Sequence, residues 1–166
     1  MASILRFDNW QNSDGTSIAT TDASGNISFA GAGAGKILQV VRATDVTRRT
    51  TTSTSYVDAN ISVTITPTSA TSTILVVWSA YPSTSSGAFT FQQITDSSDV
   101  ALIGAEESTM GTSGGTAYIS NVTIGYAEPA TTSATTYKGR WKATAGTGTL
   151  NNDAHTGQMI ALEIGT

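Results

Sequence analysis

The chain has 166 residues, a net charge of −4 at pH 7, 12% charged residues and no cysteine. The acidic balance disfavours binding to a nucleic-acid backbone, and the lack of cysteine excludes disulfides and thiolate ligands. No apolar run approaches the ~20 residues of a membrane-spanning helix, so no membrane contact is expected. Serine and threonine fill about 30% of positions, and threonine favours pleated strands. The composition therefore predicts an all-β surface protein.

Residues 1–30 are polar, with widely spaced large apolar residues and dense turn signals, NSDG at 12–15 and ASGN at 23–26. Short β pieces fit between these turns, but so few apolar side chains cannot close a core of their own. We therefore interpret residues 1–30 as an irregular arm that another surface must cover. The candidate contact residues of this arm are Ile4, Leu5, Phe7, Trp10, Ile18, Ile27 and Phe29.

Residues 31–36 read GAGAGK, which suggests a phosphate-binding loop because glycines precede a lysine. Such a loop needs Ser or Thr directly after the lysine and a helix behind it, whereas Ile37 and a β-type run follow here. No nucleotide or other cofactor is therefore expected. We interpret residues 31–36 as a flexible or closely packed linker between the arm and a domain at 37–166. The glycines of this linker are Gly31, Gly33 and Gly35.

The remainder of the chain alternates short apolar runs with turn residues, and no segment has helical periodicity. Strands are predicted at 36–43, 59–67, 72–82, 87–95, 100–104, 116–128, 135–145 and 155–166. About eight strands at this spacing predict an antiparallel two-sheet β-sandwich that is jelly-roll-like.

Alternation also predicts which side chains share a strand face. The segment 36–43 is apolar on both faces, as in a covered strand, and Trp78 lies in the most apolar run, which predicts a core position. Three rows are predicted: Ile61, Val63 and Ile65; Tyr118, Ser120, Val122, Ile124 and Tyr126; and Tyr137, Gly139 and Trp141.

A hydrolase is the enzymatic alternative. Residues 111–115, GTSGG, match the pattern of a nucleophile elbow around Ser113, and the sequence has a single histidine, His155. The elbow requires a strand before the serine and a helix after it, but here the serine lies in a small-residue loop between strands. We expect His155 at the surface or in an interface, and we expect no catalytic site.

Acidic clusters are weak candidates for catalysis or metal binding. Glu106 and Glu107 are neighbours, so in a strand they face opposite sides and cannot flank one glycosidic bond. The segments DSSD at 96–99 and NND at 151–153 have turn chemistry and lack the ordered spacing of calcium ligands. No metal site is expected.

Several phrases, taken in order, resemble a domain found in virion proteins of tailed bacteriophages. The leader is SILRFDNWQNSDGTS at 3–17, and GKILQVVRA at 35–43 opens the domain. A Thr-rich strand, a proline turn and an apolar strand follow at 52–76, PATTSATTYK stands at 129–138, and MIALEIG at 159–165 closes the chain. The leader departs from the usual pattern at Trp10, where an aliphatic residue is common.

Proteins that carry this domain are similar to capsid decoration proteins, head fibres and tail fibres. The resemblance implies a non-enzymatic homotrimer, assembled in the host cytoplasm, that binds the major capsid protein or another virion protein and lies on the virion surface. A short tail or head fibre that binds host glycan is the alternative. Tyr118, Tyr126 and Trp141 are the candidate contacts with a trimer mate or a glycan, although aromatic rings more often serve core or interface packing.

Overall fold

The computed structural model describes residues 9–21, 24, 27–29, 35–85, 87–111 and 116–165. These residues form β-strands and no helix, which confirms the predicted all-β class. The strands are β1 (Asn9–Gln11), β2 (Ser17–Thr21), β3 (Ile27–Phe29), β4 (Ile37–Asp45), β5 (Arg49–Thr51), β6 (Val57–Ile65), β7 (Thr73–Ala80), β8 (Pro82–Thr84), β9 (Phe89–Thr95), β10 (Ser108–Gly111), β11 (Ala117–Tyr118), β12 (Asn121–Ala127), β13 (Thr135–Ala143), β14 (Gly148–Leu150) and β15 (Gly157–Ile164).

Two four-stranded antiparallel sheets pack face to face. Sheet I has the order β12-β7-β15-β4, and sheet II has the order β10-β9-β13-β6. A shorter sheet, β11-β8-β14-β5, repeats the order of sheet I because each of its strands adjoins a sheet I strand in the chain. This shorter sheet therefore continues sheet I after an interruption of its strands. The body is therefore the predicted jelly-roll-like two-sheet sandwich.

The hydrophobic core fills the space between sheets I and II. At its centre, a Cβ atom added at Gly139 on β13 would lie 2.9 Å from Cγ2 of Ile61 and 3.2 Å from the Trp78 ring. Glycine at this position thus lets the indole of Trp78 approach sheet II closely. The structure confirms that the predicted rows of β6 and β13 each share a face, and it places both rows in the core. The core comprises Ala59, Ile61, Val63, Ile65, Ile74, Val76, Trp78, Ala80, Ile94, Leu102, Ala105, Tyr137, Trp141, Leu150, Met159 and Ala161.

The prediction that residues 36–43 are covered on both faces is wrong for the single chain. β4 is an edge strand of sheet I, and Val40 on its outer side is 58% exposed. Val41 and Ala43, on the inner side, pack against the core. The second apolar face of this strand has no covering layer within the described residues.

Three strand boundaries also differ from the prediction. The segment 100–104 makes only isolated bridges, Thr95 with Ala101 and Ile103 with Tyr126. The long strand predicted at 116–128 is interrupted between β11 and β12. Pro82 does not end its run but begins β8 after a break at Tyr81. The break between β7 and β8 and the break between β11 and β12 lie side by side. Sheet I ends at this level, and the shorter sheet begins there.

The described part of the arm is a three-stranded antiparallel sheet in the order β1-β2-β3. The predicted turn at 12–15 is confirmed: the amide of Thr16 donates to Oδ1 of Asn12 at 2.8 Å and to Oδ1 of Asp14 at 3.0 Å. Gly15 has a φ of +84°, the left-handed conformation that glycine adopts most readily. The arm thus has short β pieces, as the sequence indicates.

The body begins with a backbone clamp between its two ends. The amide of Gly35 donates to the carbonyl oxygen of Gly165 at 2.6 Å, and the amide of Gly165 donates to the carbonyl oxygen of Lys36 at 2.8 Å. The φ of Gly35 is +73°, so the chain turns sharply here. Gly31 and Gly33 lie outside the described residues. The linker at 31–36 stays a prediction.

Candidate functional site

The structure places some of the residues that the sequence analysis weighed for catalysis or metal binding. Ser113 lies outside the described residues. His155 is exposed, and its ring centroid lies 4.2 Å from that of Tyr81. Glu106 and Glu107 are exposed, and Oε2 of Glu107 accepts a hydrogen bond from the Tyr56 hydroxyl at 3.0 Å. Among the residues that the structure describes, no group of three His, Cys, Asp or Glu side chains is placed to hold a metal ion.

The two acidic segments differ in their roles. Oδ1 of Asp96 accepts the amides of Ser98 and Val100, as the turn prediction requires. At 151–153 the chain also turns, but Asn151 and Asn152 are buried rather than solvated. Nδ2 of Asn152 donates to Oδ2 of Asp45 at 2.8 Å, a carboxylate that Arg49 also contacts. This segment therefore anchors the break in sheet I.

The outer face of sheet II carries ion pairs along β13 and the rings of Phe89 and Phe91 on β9. The side chains of Lys138 and Arg140 on β13 both pair with Asp99, and the hydrogen bonds from these two residues lower the pKa of the Asp99 carboxyl. Lys142 pairs with Glu107 at 3.2 Å and lies 4.4 Å from the centroid of the Tyr56 ring. Such a surface is typical of one that faces water.

The outer face of sheet I is apolar, in contrast to that of sheet II. Directly paired residues share a face, and the register places Val40, Leu162, Leu75 and Tyr126 in one row across the four strands. The neighbouring row is Arg42, Ile160, Val77 and Ile124. Ile124 is 50% exposed, and Val122, further along β12, is also exposed. We call this surface the apolar face, defined by Val40, Leu75, Val77, Val122, Ile124, Tyr126, Ile160 and Leu162.

Loop packing explains why β12 presents its larger side chains outward. A Cβ atom at Gly125 would lie 2.9 Å from the Cβ atoms of both Leu102 and Ala105. These two residues already fill the inner side of β12, so only small side chains fit there, Thr123 and Gly125. The row that contains Val122, Ile124 and Tyr126 consequently lies on the outside.

Charge is confined to the edges of the apolar face. Within the four strands of sheet I, Arg42 is the one charged residue at an outward position, and it lies on edge strand β4. Glu128 directly follows β12, at the opposite edge, and its Oε1 accepts a hydrogen bond from the Tyr126 hydroxyl at 2.9 Å. Neither side chain forms an ion pair within the described part of the chain.

The three aromatic candidates have different positions. Tyr126 belongs to the apolar face. Tyr118 is exposed, and its ring centroid lies 6.3 Å from that of Tyr81, which also contacts His155. Trp141 is 1% exposed and packs in the core. The proposal of Trp141 as a trimer or glycan contact is therefore corrected, because its strand face points between the sheets.

The arm leaves large apolar side chains uncovered. Trp10 pairs with Ala19, which pairs with Phe29, so the three residues occupy one row across the arm sheet. Trp10 is 61% exposed and Ile27 is 62% exposed, and Ile18 is also exposed. Ile4, Leu5 and Phe7 lie outside the described residues. The arm thus presents apolar surface that its own strands do not bury.

Sequence reasoning predicted the arm residues but did not identify the apolar face as a site. The available signal was that β4, β7 and β15 are apolar at both inward and outward positions, which is typical of strands covered on both faces. The structure supplies a cover on one face only.

Comparisons with known proteins identify no family for the chain. No protein-family model matches it, and no curated protein matches it. Among solved structures, the chain is similar to the VP2 subviral particle of infectious bursal disease virus, with 14% sequence identity and a TM-score of 0.43. The match covers 76% of this chain and 33% of that one, so the chain spans about a third of the length of its structural neighbour. A likeness this weak says nothing about what the chain does. No helix among the described residues is long and apolar enough to cross a membrane.

Proposed function

We propose that the chain is a non-enzymatic structural protein of a bacteriophage virion, a homotrimeric capsid decoration protein. Its arm binds the shell, through the major capsid protein or another virion protein, and its sandwich projects outward. The observation that carries this proposal is the exposure of Trp10 and Ile27 on the three-stranded sheet of the arm. A sheet of this size gains stability only when one face is covered.

Decoration follows from mass action. A protein that binds only the assembled lattice stabilises that lattice. A trimer brings three arms to the shell together, so contacts that are weak singly become strong through avidity. The ordered sequence phrases that resemble phage virion proteins support the same assignment.

The first test is copy number on the virion, because decoration requires hundreds of copies whereas a fibre requires tens at most. The second test uses the full chain with the double substitution Trp10→Ser and Ile27→Ser. We expect it to lose attachment to purified capsids while the body stays folded. The matched control is Val46→Ser, since Val46 is an equally exposed apolar residue of the body. Attachment that survives the double substitution would contradict the role of the arm.

A glycan-binding fibre is the second candidate, and the cluster of Tyr118, Tyr81 and His155 favours it. The rings of Tyr118 and His155 are exposed and that of Tyr81 is half-buried, so together they offer flat surface against which a sugar can stack. A glycan array with the full chain tests this candidate. Glycan binding that is lost in Tyr118→Ala would support this candidate. An array on which no glycan is bound would exclude it.

A further inference from the structure

The apolar face is a continuous patch that runs across all four strands of sheet I. Four strands at a spacing of about 4.8 Å and the seven residues of β12 at about 3.3 Å each give the whole outer side of sheet I, its polar positions included, an area of about 400 Å². The largest apolar patch on a single chain is often functional. The contrast with sheet II, where lysine and arginine side chains are paired with carboxylates, shows that the two outer faces have different environments.

We propose that the apolar face is the surface through which copies of this chain associate. It packs around a threefold axis, so that the β4 edge of one copy meets the β12 edge of the next. This inference rests on the homotrimer of the proposed function and assigns its interface.

Charge at the two edges favours a second copy of the chain as the occupant. Arg42 lies at one edge and Glu128 at the other, and neither has an ion-pair partner within the described residues. In a head-to-tail ring, Arg42 of each copy meets Glu128 of its neighbour. Contacts of this type close when the rotation between copies is that of a threefold axis.

The position of the arm is the second argument. The clamp between Gly35 and Gly165 lies at the end of β4 and β15, the two strands that carry Val40 and Leu162. The exposed residues Ile37 and Leu38 continue the apolar surface toward that end. Packing the apolar faces around an axis therefore brings the starting points of three arms together, as the avidity of the arm requires.

The experiment is the mass of the full chain in solution, measured by analytical ultracentrifugation. We expect the unsubstituted chain to sediment at three times the mass of one chain. Ile124→Glu places a charge on β12, within the proposed interface, and is expected to reduce the mass threefold. The matched control is Phe89→Glu, an exposed apolar strand residue on sheet II, which is expected to remain trimeric.

A charge exchange keeps the test independent of folding defects. Arg42→Glu and Glu128→Arg are each expected to weaken the trimer, and the double exchange is expected to restore it because the pair is re-formed across the interface. A trimer that survives Ile124→Glu, or a double exchange that behaves like the sum of its single substitutions, would overturn the assignment. A chain that is monomeric because its own arm covers the apolar face would also overturn it.

Capsid attachment separates this inference from the proposed function. If Ile124→Glu stays trimeric and the protein still decorates capsids, the interface assignment fails and the decoration function stands. If the interface variants behave as expected but the unsubstituted trimer does not bind capsids, the decoration function fails and the interface stands.

Discussion

Nε2 of Gln39 donates a hydrogen bond to Oε2 of Glu163 at 2.7 Å, although the two residues are 124 positions apart in the chain. The same nitrogen donates to the carbonyl oxygen of Thr66 at 2.6 Å. Oε1 of Glu163 accepts hydrogen bonds from the amide and the hydroxyl of Thr68, both at 2.7 Å. One fully buried carboxylate therefore joins edge strand β4, the last strand and the turn after β6, at the end of the body from which the arm extends.

Removal of this carboxylate is expected to destabilise the body. Glu163→Ala removes the carboxylate that accepts hydrogen bonds from Gln39 and Thr68, and a hydrogen bond to a charged group contributes about 1.5–3 kcal/mol. We expect a loss of about 2–4 kcal/mol in the free energy of unfolding, measured in urea. Glu106→Ala, at an exposed loop position, is the control and should change the free energy by less than about 0.5 kcal/mol. Equal effects of the two substitutions would contradict the structural role of Glu163.

The stability of the body is expected to fall in acid because of Glu163. Burial alone raises the pKa of this carboxyl, but hydrogen bonds from Gln39 and Thr68 outweigh it and lower the pKa from 4.5 to about 2. A folded-state pKa below the unfolded value means that the stabilisation is complete above about pH 4.5 and is lost as the pH falls toward 2.

Urea unfolding between pH 6 and pH 2 measures this dependence. Other carboxyls with lowered pKa values, such as that of Asp45, add to the slope, so the comparison with Glu163→Gln isolates the contribution of Glu163. The variant is expected to be less stable at pH 6 and to lose less stability on acidification. The same slope in both proteins would show that the Glu163 carboxyl titrates normally in the folded state.

Trp141 and Tyr118 provide a test of the two environments of aromatic residues. Trp141→Ala is expected to cost about 3–5 kcal/mol, because the indole is buried and its removal leaves a cavity. Tyr118→Ala is expected to change stability by less than about 0.5 kcal/mol, since its ring is exposed. Thermal unfolding of both variants measures the two losses of stability. A small effect of Trp141→Ala would place its ring outside the core.

Gly139 is expected to tolerate no larger residue. Gly139→Ala adds a Cβ atom 2.9 Å from Ile61 and 3.2 Å from Trp78, and overpacking of this kind costs about 1–3 kcal/mol. The control is Ser62→Ala, an exposed position on the neighbouring strand, for which we expect almost no change. Chemical unfolding with tryptophan fluorescence reports both stability and the environment of Trp78. An unchanged unfolding midpoint for Gly139→Ala would mean that the two sheets lie further apart at Gly139 than these distances indicate.

Alternation in the sequence predicted the faces of strands but not always which face lies inward. On β6, Ile61, Val63 and Ile65 alternate with polar residues, so burial of that row was the favourable choice. On β12 the larger side chains lie outward, because Leu102 and Ala105 from a distant loop fill the inner side at Gly125. No local pattern contains that information, since the packing partner lies more than fifteen positions away.

Local sequence patterns predict the all-β class, the side chains that share a face on β6 and β13, and the turn at 12–15. These features depend on local periodicity and turn chemistry, which are properties of short segments. Strand packing places Trp141 in the core, buries the Glu163 carboxylate and leaves the apolar face of sheet I uncovered within the described residues. These features depend on which strands become neighbours, because an apolar strand is buried on both faces only where a second layer exists to cover it.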